Sequence, residues 1–446
     1  MSGSAGLPLL TGPLSRTLVR GPGTPREGLS AAAFLLQARH LAGQLGDGDV
    51  VNLCLDRGHF LVTFAAAMLA GRRTLLPPSR AVEAVAAIVA RHGPATTFSD
   101  DQVAAMLADA PASAADDGLL PGIPGDRIVA VGFTSGSTGE PTSHAKTWRS
   151  LVACSLANAA MIRAVLPPPH PGAEGGSFSI VATVPSQHMY GIEMAVLLPL
   201  LAPAAISTRQ PLFAQDLAEA LAASSAPCVL VTTPVHLRAF VAAGLSYRPP
   251  AAIVSATAPL SVELAEAAER CFQAPLIEAF GSTETCIIGH RRTASEKLWH
   301  LHAELELDCS GQGTRVSAPH YRQPVLLPDQ LRLSADRRFQ VEGRCQDLIE
   351  IAGKRASLAA INAHLLAVPG VLDAAATQAG TDGSGVRRIQ VAVVAPEVED
   401  RQLLQALRRH LDPVFLPRRI LRLERLPRND VGKLRHSDLM ALFEDG

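Results

Sequence analysis

The sequence predicts an α/β fold: a large N-terminal domain of largely parallel sheets with a small β-rich subdomain, then a small α+β domain at the C-terminus. Three observations lead there. Up to about residue 285, short apolar runs alternate with Ala/Leu-rich stretches of helical periodicity, the pattern of strand–helix–strand units. From about 296 to 342 the pattern becomes more charged and strand-like, and after Gly343-Arg344 it changes again. A chain of 446 residues also exceeds what one hydrophobic core usually serves.

In chain order, strands are expected at 50–55, 128–133, 179–184, 228–232, 252–255 and 276–280. Helices are expected between them at 31–45, 150–164, 214–223 and 262–272. The stretch 93–125 is rich in Ala, Asp, Gly and Pro and is expected to include an exposed connection. The β-rich part contains expected strands at 301–307 and at Leu331-Arg332-Leu333. Beyond it, 359–366 is a short amphipathic helix and 388–395 a strand; 400–411 is a helix with Leu403, Leu404, Leu407 and Leu411 on one side. The expected division is therefore 1–343 and 344–446.

Composition narrows the function. With 40 Lys and Arg against 41 Asp and Glu, the net charge is -1 and no basic tract is dense enough for a nucleic-acid surface. Hydrophobic content of 48% and charged content of 18% supply ample core, mostly Ala, Leu and Val because only 4% of residues are aromatic. The 7 cysteines are scattered without a C-x-x-C pair, as in a reduced cytoplasmic protein. Pro8, Pro13 and Arg16 interrupt any signal-peptide pattern, and the longest apolar window, 60–70, is too short for a membrane span.

The segment richest in chemistry follows the apolar run Ile128-Val-Ala-Val-Gly-Phe133. It reads Thr134, Ser135, Gly136, Ser137, Thr138, Gly139, then Glu140 and Pro141. A buried strand opening into hydroxyls and glycines makes a cradle of short donors for phosphate oxygens, with a helix expected from Thr147. A Walker-type loop would carry Lys and Ser/Thr after its last glycine, and this one does not.

Further segments follow in a consistent order: His188-Met-Tyr-Gly191; Ala279-Phe280-Gly281-Ser282-Thr283-Glu284-Thr285; Asp329 upstream of Gly343-Arg344; and Leu426-Pro-Arg-Asn-Asp-Val-Gly-Lys433-Leu-Arg435. This ordered set, spanning about 30 to 440, resembles the adenylate-forming superfamily of acyl- and aryl-CoA synthetases, peptide-synthetase adenylation domains and firefly-type luciferases. The resemblance implies ATP and Mg²⁺ as cofactors, a small-molecule carboxylic acid as substrate, an acyl-adenylate intermediate, and a carrier-protein or CoA thiol as acceptor. It also implies a mobile C-terminal domain that swivels at Gln346 and brings Gly353 towards the thiol.

By the same resemblance, Thr134 to Gly139 cradle phosphates. Phe280 lies against adenine with Gly281 and Thr283 beside it, Glu284 helps hold the metal, and Asp329 with Arg344 serves the ribose side. His188 gates the acyl pocket, and Lys433 is the catalytic lysine that neutralises charge developing during attack. Two readings of Glu193 stay open, a ligand for a substrate hydroxyl or a helix N-terminal acid. His290, His300 and His302 read as surface or local structural residues, because an H-x-H without matching ligands is a weak metal signal.

The chain departs from the resemblance at Thr142 and Ser143, where relatives carry a lysine and a glycine. Either Lys146 replaces that lysine or the metal carries more of the load. The Ser255-Ala-Thr-Ala-Pro259 stretch replaces a glycine-rich segment. No aspartate stands in 185–191 to hold an α-amine, which points away from amino acids. The Ser-Gly loop with Lys146-Thr-Trp148, together with Asp412-Pro-Val-Phe-Leu-Pro417, is similar to stand-alone ligases of aryl-polyene or xanthomonadin-type pigment clusters. There the acid is aromatic or fatty and the acceptor an acyl carrier protein. A non-catalytic scaffold on a degenerate adenylation fold is the competing expectation.

Overall fold

The computed structural model describes the chain except residues 1–5, 22–23, 25–27, 78–79, 112–119, 136–140, 169–176, 225–226, 312, 345–347, 352–353, 382–386, 430–431, 433 and 445–446. The chain forms two units. One comprises Met1–Ala256, Ala267–Arg292 and Pro319–Arg322; the other comprises Thr257–Glu266, Thr293–Ala318 and Gln323–Gly446.

In the first unit, parallel pairing runs through Thr17–Arg20, Ala204–Ser207, Phe178–Ala182, Cys228–Thr232, Ala252–Ser255 and Leu276–Ser282. Cys286–Arg291 adds to the last of these antiparallel. Phe178–Ala182, Cys228–Thr232 and Ala252–Ser255 are buried throughout, as expected for parallel strands covered on both faces. A second, five-stranded sheet runs Ala95–Phe98, Asp49–Asn52, Thr74–Leu76, Ile128–Ser135, Pro141–Thr147. Helices Ala31–Ala42 and Arg57–Leu69 start at Ser30 and Asp56, whose side chains accept from Ala33 N and His59 N, satisfying orphan amides of the first turn. Their buried Phe34, Phe60 and Phe64 enter the main core. Each such side chain contributes about 1.5–3 kcal/mol by leaving water.

In the second unit, Trp299–Leu301 and Asp329–Leu333 both pair antiparallel with Arg338–Arg344. Glu306–Gly311, Gly313–Ser317 and Val325–Leu327 form a three-stranded sheet. The C-terminal part has its own core. Leu358, Ile361 and Leu365 from helix Leu358–Leu366 meet Ile389, Val391 and Val393 of strand Arg387–Val394, and Leu403 and Leu407 of helix Asp400–Arg408.

The structure refines three sequence expectations. The stretch 93–125 also holds strand Ala95–Phe98 and helix Asp100–Leu107. That helix starts in a capping box, Ser99 Oγ accepting from Gln102 N and Gln102 Oε1 from Ser99 N, a signal the Ala/Asp-rich composition hid. The expected strand 301–307 is broken by a turn closed by Leu305 N donating to His302 O. Arg337 braces it by donating to the carbonyls of Ala303 (2.8 Å) and Leu305 (2.9 Å). The helix expected from Thr147 is present, but the phosphate loop reaches it through a strand the sequence did not suggest. Pro141–Thr147 pairs back antiparallel on Ile128–Ser135, and the helix Trp148–Arg163 starts only after it. This edge strand shows no apolar alternation because its least exposed described positions are the polar Lys146 and Thr147.

Candidate functional site

Within the first unit, three of the expected segments converge. Gly132, on the strand that enters the phosphate loop, is packed so closely that a Cβ there would lie 2.8 Å from Thr283 Cγ2 and 3.1 Å from Met189 Cε. The loop strand, the His188 segment and the Thr-Glu-Thr turn therefore share one contact point, at the carboxyl end of a strand where parallel α/β sheets bind ligands.

Around that point the polar groups are ordered. Thr134 Oγ1 lies 2.8 Å from His144 Nε2, and the same nitrogen is 3.6 Å from Glu284 Oε1. Burial lowers the His144 pKa, against the opposing charge of Glu284, so the ring is neutral near pH 7. Glu284 keeps 24% of its side chain exposed. A part-exposed carboxylate beside a hydroxyl offers the hard oxygen ligands that Mg²⁺ takes when phosphates supply the rest. Among the described residues no group of three or more His, Cys, Asp or Glu gathers as a metal cage, and a phosphate-bridging ion needs none.

Behind the turn lies a buried layer. Lys146, 5% exposed, donates to the Glu284 carbonyl at 2.5 Å. Tyr321 Oη donates to the Thr285 carbonyl at 2.5 Å. Glu193 Oε2 accepts from Ile287 N at 3.0 Å and from Asn158 Nδ2 at 3.1 Å. Burial pushes the Glu193 carboxyl well above its ordinary range. It sits in the π-helical turn Ile192–Leu197, a local irregularity that often marks functional positions.

The loop before His188 is gripped by arginines. Arg57, 2% exposed, donates to the carbonyls of Ala182 and Val184, both at 2.8 Å, and to Ser186 Oγ at 3.2 Å. Burial lowers its pKa to about 10, so it stays charged. Arg80 Nη2 donates to Gln187 Oε1 at 2.7 Å. His188 itself is half-buried and precedes the helical turn Met189–Gly191. Phe280 is half-buried at the end of Leu276–Ser282, with Gly281 exposed beside it.

The expected residues divide by location. Thr134, His188, Phe280, Gly281, Thr283 and Glu284 belong to the first unit. Asp329 and Arg344 belong to the second, where strand register sets them opposite each other. The Arg344 and Ser135 side chains, and Gly136, Ser137, Thr138, Gly139, Gln346, Gly353 and Lys433 entirely, lie outside the described residues. Sequence reasoning missed His144, Arg57, Arg80 and Tyr321. The one available signal was Arg57, a lone charge opening the apolar run Arg57-Gly-His-Phe-Leu-Val.

The chain is similar to known proteins in sequence and in fold. The profile of the family described as AMP-binding enzyme matches residues 29–314. A 4-coumarate–CoA ligase of Rhodobacter capsulatus is 31% identical over 253 residues, covering 57% of this chain and 61% of that one. An L-proline–[L-prolyl-carrier protein] ligase of Streptomyces coelicolor is 32% identical over 123 residues, covering 26% of this chain and 23% of that one. The crystal structure of ATP-bound MatB from Rhodopseudomonas palustris superposes with a TM-score of 0.77 at 17% identity, covering 97% of this chain and 96% of that one. The chain spans less than two thirds of the length of the first curated relatives it matches. It belongs to the AMP-binding enzyme family.

Proposed function

We propose that the protein is an ATP-dependent carboxylic-acid ligase. It joins the acid to AMP with release of pyrophosphate, then passes the acyl group to a phosphopantetheine thiol. The observation that carries this reading is the meeting of the phosphate-loop strand, the His188 segment and the Glu284 turn around Gly132. A non-catalytic scaffold would have no physical need to keep Glu284, Asp329, Arg344 and Lys433 together.

In this reading residues 1–343 bind the nucleotide, and 344–446 carry Lys433. Thr134 offers its hydroxyl to phosphate oxygens, and the loop from Ser135 to Gly139 supplies further donors. Phe280, Gly281 and Thr283 border the base, while Asp329 and Arg344 serve the ribose. Glu284 would hold Mg²⁺, which when bound offsets charge on the departing pyrophosphate. Lys433 neutralises the carboxylate and α-phosphate as they approach. His188 stands at the acyl side.

The acid is aromatic or fatty, and the acceptor is an acyl carrier protein, as the similarity to pigment-cluster ligases suggests. Free CoA is the second reading, favoured by the match to a 4-coumarate–CoA ligase; the carrier-protein ligase match favours the first. Among the described residues no helix is long and apolar enough to cross a membrane, and we assign the reaction to the cytoplasm.

The test is acid-dependent ATP–pyrophosphate exchange across aromatic, fatty and amino acids with Mg²⁺. Loading assays with carrier protein and with CoA then follow. Exchange with an aromatic or fatty acid supports the reading. Silence across the panel with ATP binding intact returns the scaffold alternative.

A further inference from the structure

We propose that Lys146 and Tyr321, helped by Glu193, are positioning residues that hold the Glu284 carboxylate in place for the metal ion that would accompany ATP. The proposal rests on the adenylation reading above.

The turn from Thr283 to Cys286 links antiparallel strands whose ladder slips between Phe280 and Gly281. In the turn and beside the slip the backbone lacks regular ladder partners, and buried peptide groups must find others. They find side chains from three separate segments. Lys146, on the strand leaving the phosphate loop, takes the Glu284 carbonyl. Tyr321 takes the Thr285 carbonyl. Glu193, in the turn after His188, takes the Ile287 amide. Ser282 and Thr285 close the inside, Thr285 N donating to Ser282 Oγ at 3.3 Å.

The backbone needs this bracing. Cys286 has a φ of 63°, a left-handed conformation in which a non-glycine residue persists only when its surroundings over-determine it. Gly281 is nested against the same spot, where a Cβ would sit 2.2 Å from the Cys286 carbonyl. The turn is therefore pinned at successive peptide groups, and Glu284 projects from a frame tied both to the phosphate loop and to the His188 segment.

The charge on Lys146 adds a purpose that shape alone lacks. An ammonium donates a stronger bond to a carbonyl than a neutral group does. Its bond to the Glu284 carbonyl commits it to the turn, so the lysine missing after Pro141 is not restored by an ammonium free to follow pyrophosphate.

The experiment compares wild type with Lys146→Met, Lys146→Arg and Tyr321→Phe. It measures Mn²⁺ binding to the complex with α,β-methylene-ATP by electron paramagnetic resonance, metal-free nucleotide binding by calorimetry, and the Mg²⁺ dependence of exchange. Lys146→Met is expected to weaken Mn²⁺ binding about tenfold, the lower end for losing a group that orients a metal ligand. Tyr321→Phe weakens it several-fold and Lys146→Arg restores part, while metal-free nucleotide affinity stays within about twofold. Excess Mg²⁺ recovers exchange in the variants. Mn²⁺ affinity unchanged in folded Lys146→Met and Tyr321→Phe overturns the proposal. If Lys146→Met does not fold, Tyr321→Phe, which removes one oxygen, decides it alone. Wild-type protein that neither exchanges with any acid nor binds Mn²⁺ with nucleotide instead refutes the adenylation reading, and this proposal with it.

Discussion

At the scale of single residues, the buried carboxyl of Glu193 is the most informative group. Burial raises its pKa above the unfolded value of 4.5, so the folded state holds a proton that the unfolded state has released. Its contribution to stability is complete below pH 4.5 and is lost as the pH rises towards the folded value. Glu193→Gln keeps an acceptor for Ile287 N and Asn158 Nδ2 but cannot ionise. The stability difference between Gln variant and wild type, from urea unfolding at pH 5 and pH 8, is expected to move in the variant's favour at the higher pH. An identical difference at both would show that Glu193 is ionised in the fold. Lys433 is tested by function instead: Lys433→Ala is expected to lower acyl-adenylate formation at least about a hundredfold while ATP binding survives. Equal exchange rates would remove it from the mechanism. Sequence alone named Glu193 and left its role open. Its partners Asn158 and Ile287 lie 35 and 94 residues away, and no local pattern encodes such a pairing.

At the scale of elements, two glycines set how closely segments approach. A Cβ at Gly191 would fall 2.0 Å from the Pro185 carbonyl, a backbone atom with no rotamer to yield. At Gly132 the nearest atoms belong to the side chains of Thr283 and Met189, which can shift. Gly191→Ala is therefore expected to cost about 1–3 kcal/mol, as overpacking does, and more than Gly132→Ala, measured by urea midpoints at constant slope. The reverse order would mean that the His188 segment relaxes more readily than its close packing implies. The parallel strands were legible because a strand buried on both faces is an unbroken apolar run. The strand Pro141–Thr147 was not, because its least exposed described positions carry the polar Lys146 and Thr147.

At the scale of the whole molecule, the C-terminal residues own a core, with Ile361, Val391 and Leu403 fully buried among their neighbours. A fragment of residues 1–343 is thus expected to bind ATP, seen by calorimetry, yet to show no acid-dependent exchange, since Lys433 is absent. Exchange by that fragment would sink the role given to 344–446. The sequence by itself determined the α/β class, the order of the phosphate-loop, His188 and Glu284 segments, and the family, because periodicity and short motifs are local properties of the chain. Only the tertiary structure decided that the phosphate loop closes a hairpin, that His144 stands between Thr134 and Glu284, and that Lys146, Tyr321 and Glu193 hold the turn from behind. Those facts depend on which distant backbone groups burial leaves without a partner, and that is fixed only when the strands have paired and packed.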